Sequence, residues 1–336
     1  MKVAQLTKYN KNSIKLELTD AAIPEVNSND ILVKLTAAGV NPLDNMISRG
    51  EVNAIIPYKV PFIAGNEIVG IIESVGHQVE GFKKGDRVFA RLPLSRIGAF
   101  AEYVAVDSAA IAHVPAYLTD IEAAAVPLTA LTIIQALELM EAESGKTLFI
   151  SGGTGGVGAM AIPIAKAKGL TVITNGNVSN KKRVIKLGAD QFIDYKTEDY
   201  TQILSQIDYV LDTLGGIETE KQMGILKKDG RLVSLRGMPN GAFAKRMNLP
   251  KWKQLLFGLV GRKFDQLANK YGVTYDFVFV EANGRQLQEI SDLFTKLQVK
   301  PSIDSVYSFE QINEALDKVA QGHSQGKTVI SFYKTK

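Results

Sequence analysis

Leu148-Phe149-Ile150-Ser151 runs directly into Gly152-Gly153-Thr154-Gly155-Gly156-Val157-Gly158, and the small-residue run Ala159-Met160-Ala161-Ile162-Pro163-Ile164-Ala165 follows at once. A short apolar strand therefore meets a glycine loop that opens a helix. Gly153, Gly155 and Gly158 fit the pattern G-x-G-x-x-G, and the strand-to-helix setting is what gives that pattern a mechanism. Gly153 permits the tight turn, Gly155 lets a diphosphate approach the backbone, and Gly158 lets the helix lie close to the strand. The unpaired N–H groups along Thr154, Gly156 and Val157 are then positioned to receive the diphosphate.

Outward from this loop the chain alternates strand and helix. Thr147–Ser151 is a strand and Gly158–Lys168 the helix after it, then Leu170–Thr174 is a second strand and a helix ends at Leu187-Gly188-Ala189. Gln191–Asp194, Tyr209–Asp212 and Arg231–Leu235 read as further strands, and Val273–Val280, which alternates well, as the last. Such alternation predicts a doubly wound parallel sheet. The stretch between, 239–270, is basic and irregular and holds the only tryptophan, Trp252; a mobile cover and a surface helix both fit it.

Upstream, residues 1–120 are rich in short apolar runs separated by turn signals, with strands at Ile31–Ala37, Ile68–Val75 and Arg87–Ala90 and a continuation over Gly98–Val106. Thr119 or Asp120 can cap a helix at Ile121–Ala125, and Leu128–Met140 extends as another. Downstream, two helices (Leu287–Leu297 and Phe309–Ala320) and a strand (Lys327–Phe332) carry no glycine loop of their own, which suits a return to the first domain. The expected division is a β-rich domain over 1–121, completed by 283–336, and a dinucleotide-binding domain over 122–282.

With 336 residues, 46% apolar and 22% charged, the chain has room for two cores. Its net charge of +4 and the lack of a long Lys/Arg block give no groove for nucleic acid. No run approaches the ~18 uninterrupted apolar residues of a membrane span, so no membrane partner is expected. Met1–Leu6 reads as a first strand rather than a signal peptide. The chain has no cysteine, which excludes disulfides, thiol nucleophiles and cysteine-held zinc and makes the cytoplasm the default location.

In dinucleotide folds the end of the second strand faces the adenosine ribose, where an acid selects NAD. Here that end reads Thr174-Asn175-Gly176-Asn177-Val178-Ser179-Asn180-Lys181-Lys182-Arg183, with three cations and no acid. Lys181 offers a point charge and Asn177 a hydrogen bond to a 2′-phosphate, so the sequence favours NADPH over NADH. A solvated helix start is the plainer alternative, and which of Lys181, Lys182 and Arg183 makes the contact stays open.

These residues and several ordered landmarks resemble the medium-chain dehydrogenase/reductase superfamily, and within it the zinc-free quinone oxidoreductases, zeta-crystallin-like and alkenal reductases among them. Ala38-Gly39-Val40-Asn41-Pro42-Leu43-Asp44 resembles the family's A-G-V-N-P-x-D element. Pro61-Phe62-Ile63-Ala64-Gly65-Asn66-Glu67, then Val69-Gly70, is similar to its P-x-x-x-G-x-E…G segment. Gly85-Asp86-Arg87-Val88, Gly98-Ala99-Phe100-Ala101-Glu102-Tyr103, Leu131-Thr132, Leu187-Gly188-Ala189-Asp190 and Gly326-Lys327 follow in the family's order. The resemblance spans nearly the whole chain. It implies an α/β fold with a GroES-like β-rich barrel and a Rossmann domain, a cofactor held in the cleft between them, and homodimers paired edge to edge through strand 273–280. An apolar edge strand is otherwise a liability, which independently favours a partner.

Zinc-dependent relatives carry a histidine where Asn66 stands. An asparagine amide is a poor zinc ligand, and His77, His113 and His323 show no ligand spacing, so no metal is expected. Without a metal, quinones and α,β-unsaturated carbonyls are the acceptors that need least help, because hydride addition to them gives a delocalised oxyanion. By resemblance, Asn41 and Asp44 sit at the nicotinamide-ribose and substrate end and Thr132 near the nicotinamide. Asn41 can equally brace the turn before Pro42, and Asp44 can equally cap a helix Asn45–Arg49. Tyr58 can line the pocket or donate a proton, though a lone loop tyrosine is more often packing. Tyr195 resembles a position near the adenosine phosphate; Leu214 and Gly215 border the nicotinamide side; Ser234, Arg236 and Lys327 complete the cofactor set. Met46 stands where relatives often carry a tyrosine. The expected activity is NADPH-dependent reduction of quinones, enals or enones. An enoyl-thioester reductase using Lys245–Lys253 for a phosphate-bearing tail, and a non-catalytic NADPH-binding sensor or structural protein, are the competing readings.

Overall fold

The computed structural model describes residues 1–333 apart from 323 and 325, so His323 lies outside the described residues. Its strands are, in chain order, β1 (Lys2–Leu6), β2 (Glu17–Asp20), β3 (Asp30–Val40), β4 (Phe62–Ile63), β5 (Glu67–Val75), β6 (Arg87–Arg91), β7 (Tyr103–Asp107) and β8 (Ile111–His113). There follow β9 (Thr147–Ile150), β10 (Thr171–Gly176), β11 (Gln191–Asp194), β12 (Ile207–Asp212), β13 (Leu226–Ser234) and β14 (Thr274–Phe277), then β15 (Ile303–Ser308) and β16 (Lys327–Ser331). The chain forms two compact units, Met1–Leu131 with Glu281–Lys336, and Thr132–Val280. The first division falls inside the helix Pro127–Leu139.

In the unit Thr132–Val280 the six strands are parallel in the order β11-β10-β9-β12-β13-β14. Renumbered from β9 this is 3-2-1-4-5-6, the Rossmann order. The switch point lies at β9, so the Gly152–Gly158 loop leaves the carboxyl end of the strand at which the sheet reverses direction of growth. A core of Phe149, Val210, Leu232, Tyr275 and neighbours fills one face of this sheet.

The other unit is the GroES-like one. Strands β15-β16-β3-β5-β6-β8 form one sheet, with β7 also paired to β3, and β2-β1-β4 form a second. The long β3 is its spine: it pairs antiparallel with β5, β7 and β16, and its apolar residues join those of β5, β6 and the helix Ile312–Gln321 in one core. The tail from Glu281 onward belongs to this unit.

Several elements differ from the sequence reading. Gly98–Val106 is not one strand: Gly98 has φ 147°, Ala101 makes only an isolated bridge to Val3, and pairing with β3 begins at Tyr103. The strand expected over 273–280 ends at Phe277, because its neighbour β13 ends opposite it at Ser234. The undecided stretch 239–270 is helical, with helices Gly241–Arg246 and Lys251–Tyr271. The helix after the glycine loop starts at Gly156 rather than Gly158, and Thr119, not Asp120, caps the helix Asp120–Ala123.

Candidate functional site

The glycine loop is built by packing at two of its three motif positions. A Cβ on Gly153 would lie 1.9 Å from Thr174 Oγ1, and one on Gly158 would lie 2.4 Å from Gly153 Cα. Those glycines let loop, helix and β10 come together. Gly155 differs: it caps the helix Gly156–Ala167 with φ −77°, and a Cβ there would meet only Gly152 O, at 3.4 Å. Neither backbone nor packing demands glycine at 155, so the space beside it is free for a ligand.

Neighbouring side chains brace this loop. Asn175 Oδ1 accepts from Gly152 N–H at 2.8 Å, and Gly153 N–H donates to Asn175 O at 3.1 Å. Arg183 is not free for a ligand, since its guanidinium donates to Thr154 O. Lys181 and Lys182 are exposed at the start of the helix Lys181–Lys186, and Asn177 Oδ1 caps the turn before it by accepting from Ser179 N–H.

A cavity of about 660 Å³ opens here, and Thr154, Asn175, Tyr195 and Leu214 of the expected cofactor set line it. Lys196 and Lys221 are also on its wall. Its acids are engaged: Glu198 accepts from Asp194 N–H, Asp199 from Thr201, and Glu218 from Lys221 and the Tyr200 hydroxyl. Lys196 makes no ion pair among the described residues, and the sequence reading missed it. Its place directly after Tyr195 was the available signal.

At the ends of β12 and β13 a fully buried Asp212 collects five donors. These are Leu214 N–H, Gly215 N–H, Thr219 Oγ1, Gln222 Nε2 and Ser234 Oγ, the last at 2.7 Å. Ser234 is thereby committed to holding the two strand ends together. Gly215 has φ 74° and a Cβ there would come within 2.9 Å of Arg236, so the two residues are in contact.

The GroES-like unit holds a second polar cluster, made where β3, β5, β6 and β16 end or begin. Glu67 is fully buried; its Oε2 receives Lys327 Nζ at 2.5 Å and Asn41 Nδ2 at 3.0 Å, and its Oε1 receives Leu128 N–H at 2.8 Å. Lys327 also donates to Asn41 Oδ1 at 2.7 Å. Asp44, on the helix Pro42–Ser48, accepts from Asn41 N–H and Asn66 Nδ2, both at 2.7 Å. Burial pushes its carboxyl up to about 6, against the pull of those two hydrogen bonds and of Lys327. Asp44 is therefore not the cap of a helix Asn45–Arg49: the helix starts at Pro42 with Asn41 as its cap, and Asp44, in the first turn, closes a capping box by accepting from the Asn41 N–H.

Arg91 closes β6 opposite Glu67 and has no exposed surface. Its Nη1 donates to Leu92 O, while Nε and Nη2 have no hydrogen-bond partner among the described residues. Burial lowers its pKa to about 10 although Tyr58, Asp44, Glu281 and Glu67 act to keep it charged. The Tyr58 hydroxyl donates to Leu94 O at 2.8 Å, and burial raises its pKa to about 12. Asn41, Asp44 and Lys327 are thus brought together, Tyr58 shares no hydrogen bond with them but is near enough to Arg91 and Asp44 to feel their charge, and Thr132 lies half-buried in the part of the helix Pro127–Leu139 that belongs to the other unit.

The cluster does not suit zinc. Asn66 uses its amide N–H on Asp44, the sequence has no cysteine, and among the described residues no three His, Asp or Glu are placed to share an ion. The dinucleotide fits better, on the free space at Gly155.

Comparison with known proteins agrees with this architecture. The family model described as alcohol dehydrogenase GroES-like domain matches residues 27–116, and one described as zinc-binding dehydrogenase matches 187–330. The chain is 34% identical to the mitochondrial NAD(P)H oxidoreductase RTN4IP1 of Danio rerio, over 97% of this chain and 90% of that one. It is 30% identical to 2-methylene-furan-3-one reductase of Solanum lycopersicum, over 98% and 79%. The solved quinone oxidoreductase from Coxiella burnetii superposes with a TM-score of 0.82 at 26% identity, covering 99% of each chain. The chain belongs to the zinc-independent quinone oxidoreductase branch of the medium-chain dehydrogenase/reductase superfamily.

Proposed function

We propose that this protein is an NADPH-dependent oxidoreductase that reduces quinones or the activated C=C bond of enals and enones. The observation that carries the proposal is Gly155: the switch-point loop keeps open a space that the protein's own packing does not require. The names of the relatives, an NAD(P)H oxidoreductase and a furanone reductase, support the same chemistry. When bound, NADPH supplies a hydride from its nicotinamide ring.

The chain's part is to bind and orient. The N–H groups of Thr154, Gly156, Val157 and Gly158 hold the diphosphate, while Asn177 and Lys181 take the 2′-phosphate, with Lys196 a further cation on the cavity wall. Tyr195, Leu214, Gly215 and Arg236 line the nucleotide's path, and Asn175 and Ser234 hold that path in shape. Asn41, Asp44, Tyr58 and Thr132 are assigned to the acceptor, and Lys327 fixes Asn41 for that role. Asp44, whose pKa burial places near 6, can hold a proton close to neutral pH.

Two copies of the chain are read as pairing through the open edge of β14, with a cytoplasmic location for the dimer. Sedimentation velocity and cell fractionation test those two statements, and a monomer or an organellar pool would refute them.

The deciding experiment follows nicotinamide oxidation with NADPH and NADH against benzoquinone, phenanthrenequinone and an alkenal. Turnover with NADPH supports the reading, and the better acceptor fixes its branch. Tight NADPH binding without oxidation of any acceptor would favour a nucleotide sensor. Lys181→Glu should weaken NADPH ~10-fold or more while sparing NADH; equal loss of both would refute the 2′-phosphate assignment.

A further inference from the structure

The helix Lys251–Tyr271 has two apolar stripes, and only one is packed. Phe257, Gly261 and Ala268 are buried against its own unit; Phe257 meets the Phe243 ring edge-on at 5.9 Å, and Phe264 stacks on Tyr275 at 5.0 Å. On the opposite side Trp252, Leu255, Leu256, Leu259 and Val260 recur at the spacing of one helical face. They are 63%, 73%, 43%, 70% and 43% exposed. A folded chain does not normally leave such a stripe to water.

The surrounding charge points to what covers it. From Gly230 to Phe264 the sequence has eight basic residues and no acid. Arg231 and Arg246 are paired with Glu141 and Asp276, but Lys245, Lys251, Lys253, Arg262 and Lys263 make no ion pair among the described residues. Lys251, Lys253, Arg262 and Lys263 flank the apolar stripe on the helix itself, and Lys253 Nζ lies 5.6 Å from the Trp252 ring centre. A second copy of the same surface would bring these like charges face to face. A phosphate-bearing substrate tail would use the cations but leave the leucines uncovered.

We propose that this face docks on an anionic lipid bilayer, with Trp252, Leu255 and Leu259 entering the boundary between headgroups and acyl chains and the Lys/Arg border meeting lipid phosphates. The helix lies on the surface and spans nothing. This departs from the expectation, drawn from composition alone, that the chain has no membrane partner. It does not depend on the proposed activity.

Trp252 is the only tryptophan, so its emission reports on this face alone. The full chain is mixed with vesicles of phosphatidylcholine, with and without phosphatidylglycerol, and followed by co-sedimentation and tryptophan emission. The expected result is pelleting and a blue shift with the anionic vesicles only. Leu255→Glu with Leu259→Glu, and separately Lys251→Glu with Lys253→Glu, should each reduce vesicle binding ~10-fold or more with unchanged thermal unfolding. Protein that stays in the supernatant with both vesicles, with unshifted emission, overturns the proposal. So does sedimentation velocity showing a dimer that Leu255→Glu with Leu259→Glu dissociates, in a protein that ignores vesicles.

Discussion

The two units build their functional regions in opposite ways. In the Rossmann unit the loop after β9 is shaped by what is missing: Gly153 and Gly158 make room for neighbouring backbone and side chain, and Gly155 leaves a gap. In the GroES-like unit the strand ends are filled with polar groups, with Glu67, Lys327, Asn41, Asp44 and the Asn66 N–H bonded to one another at full or nearly full burial. An empty place can be read as a binding site directly. A filled one is first of all structural, and any part it takes in chemistry must work through groups already committed to one another. The comparison predicts that damage to the cluster shows first in stability, and damage at Gly155 first in ligand affinity.

The largest effect should come from Lys327→Met. It leaves the Glu67 carboxylate buried without its counter-charge and should cost about 3–5 kcal/mol. Chemical denaturation measures this, and adding Glu67→Gln should recover part of the loss; a change below ~1 kcal/mol would mean that the pair is solvated in solution.

Gly158→Ala comes next, because the added Cβ would sit 2.4 Å from Gly153 Cα, which is backbone and cannot turn aside. About 2–3 kcal/mol is expected. A stable Gly158→Ala protein would show that the loop and helix are less closely packed than described.

Asp44 sharpens the comparison through pH. Its folded pKa of about 6 stands above the ordinary 3.8, so the folded protein binds a proton that the unfolded chain has lost. This contribution is fully present below the unfolded pKa and disappears as pH rises through about 6, removing ~3 kcal/mol across the window. Asp44→Asn should therefore flatten the fall in stability between the two values, measured as denaturation midpoints against pH. An unchanged slope would mean that Asp44 does not titrate there.

How much of this could be read from the sequence follows the same division. The glycine loop, the strand alternation and the carboxylate-free stretch from Thr174 to Arg183 are local, and the sequence reading found them. The GroES-like unit was legible only as ordered landmarks. Glu67 and Asn66 lay inside one of those, but nothing local says that Glu67 meets a lysine 260 positions later, since that pairing depends on β16 lying beside β3. Arg91 lies one position past the strand read at Arg87–Ala90, and nothing local marks it as buried; its place opposite Glu67 does. The helix Lys251–Tyr271 stayed undecided because its two apolar stripes blur the one-sided pattern by which a surface helix is recognised.

The most direct test of the central claim, that the loop after β9 is a dinucleotide site with its working space at Gly155, is Gly155→Ala measured two ways. Thermal unfolding should change little, by about 1 kcal/mol for the altered helix cap. NADPH affinity, followed by fluorescence titration, should fall ~10-fold or more as the methyl group occupies the space at the helix start. A protein that keeps both its melting temperature and its NADPH affinity would contradict the claim, because the gap at Gly155 would then serve no ligand.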